Sequence, residues 1–184
     1  MKTFTSLLAF AFCLFLSGSA GSSVSSSKGS DAPAQRAELW ISITVPEQNS
    51  VVATDDRSHF HVTIENVSDH PQNVFDEWNS WGCFSFRFEY TTPTGKEKVM
   101  EKLPRVWTKN NPTTTPLNPG EILVRDVYLD STIWSNLPLP AAGEAMVRIR
   151  ASFEQKPVQG EEAWHGQITC PAQEITFRNA RQRS

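Results

Sequence analysis

Phe75–Tyr90 reads FDEWNSWGCFSFRFEY, and its second half decides the fold class. Phe84, Phe86, Phe88 and Tyr90 alternate with Cys83, Ser85, Arg87 and Glu89. Successive side chains of an extended chain leave opposite faces, so bulky aromatics at every second position predict a half-buried β-strand. The first half of the stretch sets Trp78 and Trp81 just ahead of that strand, beside Gly82 and Cys83.

The same period recurs on both sides. Leu39, Ile41, Ile43 and Val45 alternate with Trp40, Ser42 and Thr44, and Pro46 ends that run. Phe60, Val62 and Ile64 alternate with His61, Thr63 and Glu65; Val147, Ile149, Ala151 and Phe153 alternate with Arg148, Arg150 and Ser152. Further strands are expected at Lys96–Lys102, Ile122–Leu129, Trp164–Thr169 and Glu174–Phe177, the first of them polar enough for a sheet edge. Asn66–Pro71, Thr92–Gly95 and Pro119–Glu121 hold the residues that turns need. Trp107–Pro119, with three prolines, reads as a long loop. No amphipathic helix and no internal repeat is apparent. Seven to eight short strands separated by turns describe an all-β antiparallel sandwich.

The ends differ in composition. Lys2 followed by the apolar Leu7–Leu16 and the small Gly18, Ser19 and Ala20 is the order of a secretory signal peptide, and the run is about half the ~20 residues of a membrane span. Residues 1–20 are therefore read as a leader cleaved after Ala20. Cys13 lies in mid-run between Phe12 and Leu14, where a lipoprotein signal would require small residues. Residues 21–37 are a flexible Ser/Gly-rich spacer, residues 38–178 one β domain, and residues 179–184 a frayed tail. The formal net charge of -3 comes from both signs scattered along the chain. That lacks the concentrated basic face which nucleic acid or an anionic membrane demands. No second apolar stretch is long enough for a membrane span. The expected product is a monomer in the periplasm, cell envelope or extracellular space.

Once the leader is removed, Cys83 and Cys170 are left. An even pair in an oxidising compartment is read first as a disulfide. Such a bridge would close roughly ninety residues and contribute about 4 kcal/mol by the chain-entropy model. The alternative is two buried free thiols. Neither cysteine has a CxxC partner or a histidine at zinc-ligand spacing.

The motifs ENVSD, TPTGKE, NPGEI and PLPAAGEAMVRIRASFE, in that order around the aromatic strand, resemble immunoglobulin-like sandwiches of exported bacterial proteins. The order is similar to that of BsuPI-type proteinase-inhibitor domains. It is more similar to secreted proteins with a Trp-Gly-aromatic segment followed by a Trp-Thr-Lys-Asn loop, here Trp81-Gly82-Cys83-Phe84 and Trp107-Thr108-Lys109-Asn110. The resemblance covers about Arg57 to Phe177. It implies an immunoglobulin-like fold and carries no catalytic residues.

No GxSxG elbow is present, and the serines cluster in the leader and spacer. Asp76 and Glu77, adjacent on an extended chain, point apart and so make a poor glycosidase pair. Asp55, Asp56, Asp69, Asp76 and Glu77 match no calcium loop and read as a solvated rim. His59 and His61 share the outward face of a strand, a spacing that can put two imidazoles on one metal, but no third ligand stands at a clear position in the sequence. No metal, no cofactor and no enzymatic activity are expected. Asn66-Val67-Ser68 fits the N-glycosylation sequon in a predicted turn.

Tryptophan is the remaining outlier, with six in the chain. Trp78, Trp81 and Trp107, with Asn79, Lys109 and Asn110, have the chemistry of a carbohydrate platform, in which indole faces stack on sugar C–H surface and polar groups bond hydroxyls. Indoles also cap the open ends of a sandwich. The expected function is non-catalytic binding or scaffolding outside the cytoplasm, with a protein or glycan partner. The alternatives are a carbohydrate-binding module, or a proteinase inhibitor presenting the 107–119 loop.

Overall fold

A computed structural model describes residues 38–45, 49–108 and 110–181. The leader, the spacer and Lys109 lie outside the described residues. The described residues form eleven strands: β1 (Leu39–Thr44), β2 (Ser50–Ala53), β3 (His59–Asn66), β4 (Gln72–Phe75), β5 (Phe86–Thr91), β6 (Glu97–Glu101), β7 (Thr114–Leu117), β8 (Ile122–Tyr128), β9 (Gly143–Gln155), β10 (Gly166–Thr169) and β11 (Gln173–Asn179). Among the described residues there is no helix. One sheet runs β1-β3-β8 and a larger one runs β2-β11-β9-β5-β6, with β10 also on β9; β4 and β7 form a ribbon of their own. Every pairing is antiparallel except β2 on β11.

Alternation decides what each strand buries. Leu39, Ile41 and Ile43 of β1 and Phe60, Val62 and Ile64 of β3 face inward from the first sheet. Phe86, Phe88 and Tyr90 of β5, Val147, Ile149, Ala151 and Phe153 of β9, and Ile175 and Phe177 of β11 face them from the second. All belong to one apolar cluster. Phe60 joins the two sheets: its ring meets Phe88 edge-on at 5.4 Å and Phe177 at 6.1 Å. Phe88 in turn meets Trp134 at 5.5 Å.

Three strands escape sequence reading. β2, β4 and β7 are four residues each, too short for a period to register. β7 carries Pro116, which lacks a backbone donor and is tolerated because the ribbon pairs on one side only. The Thr114–Leu117 part of the expected 107–119 loop is thus tied down as a strand. The aromatic strand also begins later than its alternation suggests: β5 starts at Phe86, and Phe84 sits exposed in the preceding turn. Asn179 ends β11, Ala180 donates to the Ala53 carbonyl, and Arg181 pairs with Asp56 at 2.8 Å. These three residues are held against the fold rather than frayed.

Cys83 and Cys170 are both free and buried; the expected bridge is not formed. Register explains it. Cys170 exchanges backbone and thiol contacts with Ala151 on one side of β9, and Ala151 faces Phe88 of β5 on the other. Cys83 lies in the turn before β5, five residues ahead of that Phe88, so it is neither on the strand next to Cys170 nor level with it. A disulfide reaches about 7 Å between Cα atoms. Burial pushes the Cys170 thiol above its ordinary range.

Asn66 is fully buried, and the sequon is a turn anchor. Its Nδ2 donates to the carbonyls of His70 and Leu117, both at 2.8 Å, and its Oδ1 accepts from the Ser68 amide and hydroxyl. A folded chain offers this nitrogen to no transferase.

Alkylation of the native protein without reductant should leave both thiols slow to react, since each is buried and the thiolate is the attacking form. After denaturation, mass mapping should find both the Cys83 and the Cys170 peptides singly alkylated. A linked peptide pair would restore the bridge.

Candidate functional site

The turn from Asp76 to Ser85 contributes Glu77, Trp78 and Cys83 to the border of a surface cleft. Asn79 organises it. Its Oδ1 accepts the amides of Trp81 at 3.0 Å and Gly82 at 2.9 Å, and its Nδ2 donates to the Thr113 carbonyl at 2.9 Å. This is the local side-chain-to-backbone bonding that favours asparagine in turns. Gly82 is required for contact rather than for conformation: a Cβ there would lie 2.3 Å from the Asp76 carbonyl oxygen and 2.6 Å from that of Phe75. Gln155 secures the same segment from β9, accepting from the Phe75 amide and donating to its carbonyl. Asp76 and Glu77 diverge, the first taking the Thr115 hydroxyl at 2.6 Å and the second pairing with Lys102 at 3.4 Å.

So held, the turn sends its two indoles to different places. Trp81 lies half-buried on Phe75 and borders a shallow hollow with Phe84. Trp78 stands 67% exposed on the lip of a cleft of about 430 Å³. Trp134, 4% exposed, and Cys83 lie at its inner side. Lys102 sets its ammonium 5.5 Å from the Trp134 ring while pairing with Glu77, so a cation, a carboxylate and two indoles border one space. Asp126 and Tyr128 of β8 form the far wall. The turn that carries Trp134 is capped by Asp130, which accepts the Thr132 amide and hydroxyl, each at 2.7 Å. Those bonds hold the Asp130 carboxyl below its usual range.

The residues grouped from sequence therefore part company. Among the described residues of that group, Trp78 alone lines this cleft. Trp107 is half-buried with Arg105 at 5.9 Å from its ring, and its Nε1 is buried without a hydrogen-bond partner among the described residues. Asn79 is spent on the turn. Asn110 exchanges bonds with Ser80, accepting its amide and donating to its hydroxyl. Both amides act as staples rather than as free hydroxyl readers. The 107–119 segment is likewise bound to the body through Thr113, Asn110 and β7. Lys102 and Trp134 carry no local signal in sequence. An isolated bridge between them, across more than thirty residues of chain, puts them together.

No family model matches the chain, and no curated protein does. Among solved structures, the chain is similar to a Bordetella pertussis protein provisionally called ApaA, at 18% identity and a TM-score of 0.35, over 78% of this chain and 95% of that one.

Two stability measurements check the construction. Gly82→Ala must push the Phe75–Asp76 backbone aside and should cost about 1–3 kcal/mol in chemical denaturation. Trp134→Ala should cost about 3–5 kcal/mol as a buried aromatic truncation, whereas Trp78→Ala should stay within about 0.5 kcal/mol.

Proposed function

We propose that this is an exported, non-catalytic binding protein on an immunoglobulin-like β-sandwich, and that the cleft beneath Trp78 takes its ligand. The exposed Trp78 indole at the lip of that cleft carries the reading. An indole left in water forfeits its burial energy, and a large aromatic beside convergent polar groups is the usual make-up of a recognition site. The strand order supports the immunoglobulin-like assignment. β1-β3-β8 correspond in sequence order to the A, B and E strands, and β11-β9-β5-β6 to G, F, C and C′. The positively charged start and the apolar run of residues 1–20 support export.

A glycan is the ligand class that this arrangement favours. Sugar C–H faces stack on Trp78, and Lys102, Glu77 and Arg105 on the cleft wall supply donors and acceptors for hydroxyls. Titration with a panel of soluble glycans should shift tryptophan fluorescence and the Trp78 indole resonance, with Trp78→Ala abolishing both responses and Trp107→Ala preserving them. An unresponsive Trp78 across the panel, or a response that survives Trp78→Ala, would overturn the assignment.

A further inference from the structure

We propose that His59, His61 and Asp126 form a binding site for a divalent transition-metal ion on the outer face of β3 and β8. The third ligand, which the sequence does not reveal, comes from register. His61 of β3 lies directly opposite Asp126 of β8, and His59 opposite Tyr128. Because Phe60 and Val62 point into the core, the two imidazoles leave the same outward face. One donor atom from each of the three side chains lies within 4.8 Å of the others.

The hydrogen bonds around the group prepare it for an ion. His59 Nδ1 lies 2.9 Å from the Arg57 carbonyl oxygen, an acceptor only, so Nδ1 carries the proton and the Nε2 lone pair is free. His61 Nδ1 and Asp126 Oδ1 already face each other at 2.8 Å, so an ion that replaces the proton between them is bound by both. At His59, Nδ1 donating to a carbonyl while Nε2 faces the metal is the outer-shell pattern that fixes the tautomer and raises ligand basicity. Tyr128 donates to Asp126 Oδ2 at 3.3 Å, and its ring packs 5.1 Å from that of His59. The carboxylate is thereby kept at the site, where it supplies the third donor.

The donor set selects the ion. Two imidazoles and one carboxylate suit copper(II), zinc and nickel, with copper(II) the tightest by the Irving–Williams order; magnesium and calcium prefer oxygen alone. Donors around a tetrahedral ion with bonds of ~2.0–2.1 Å stand about 3.4 Å apart. The present spacing closes by side-chain rotation, since His61 and Asp126 are 29% and 42% exposed and β3 is held on both sides by β1 and β8. Three protein ligands leave open positions toward solvent. Asp126 and Tyr128 also line the cleft beneath Trp78, so the ion would sit at its margin. The assignment does not depend on what that cleft binds.

The test uses the full chain with copper(II) and zinc as probes. Calorimetry should give saturable binding at this site, and copper(II) spin resonance should show nitrogen coordination. His59→Ala and His61→Ala should each weaken affinity at least tenfold, Asp126→Asn at least fivefold, and His70→Ala and His165→Ala not at all. His61→Gln, close in size and polarity, guards against loss of fold, with circular dichroism as the control. Calcium and magnesium should not bind there. No saturable binding of either probe up to about 1 mM, or an affinity unchanged in the His59→Ala/His61→Ala double variant, would overturn the site.

Discussion

Phe60 is the side chain on which the arrangement turns. It alone of its strand meets aromatic rings of the opposite sheet on both sides, Phe88 and Phe177, edge-on in each case. Edge-to-face pairs place the positive ring edge against the negative face, and each adds about 0.5–1.5 kcal/mol beyond its buried area. The contacts also fix how far apart the sheets stand and how they are rotated. From Phe88 the packing passes to Trp134, and from Trp134 to Lys102 and the cleft. The cleft is therefore continuous with the core, not an appendage to it.

The outer face of β3 depends on the same residue. Phe60 fixes which way the strand presents its alternate positions, and so puts His59 and His61 outside together. A one-residue slip of β3 against β8 would bury the imidazoles and separate them from Asp126. Packing within the core thus sets the chemistry of a surface that it never touches.

Strands with a long apolar period were legible because burial on one face imposes that period. β3, β5 and β9 show it plainly in the residues themselves. β2, β4 and β7 were not legible, because none shows a clear alternation of its own, β7 carries a proline, and their partners lie far along the chain. Asn79 and Asn110 looked like free polar groups, since nothing local reveals that Thr113 and Ser80 take up their hydrogen bonds. The exposure of Trp78 was visible as an excess of tryptophan beside turn residues. Asp126 could not be matched to His61 without the pairing of β3 with β8, which spans 65 positions. Parity and compartment argue for a bond between the cysteines, while in the structure both stand free and buried, a placement set by strand order and not by anything local.

The burial of Asn66 has a consequence for how the chain is made. Its amide nitrogen is accessible only before β3, the following turn and β7 come together, because afterwards two carbonyls hold it. In a host that glycosylates sequons during synthesis, oligosaccharide transfer and folding compete for the same atom. A chain modified first carries a bulky sugar where the Leu117 carbonyl must dock, and it is shut out of the native turn. The yield of folded protein is then set by which event comes first. Production in a host without that machinery, or with Ser68 replaced, removes the competition at its source.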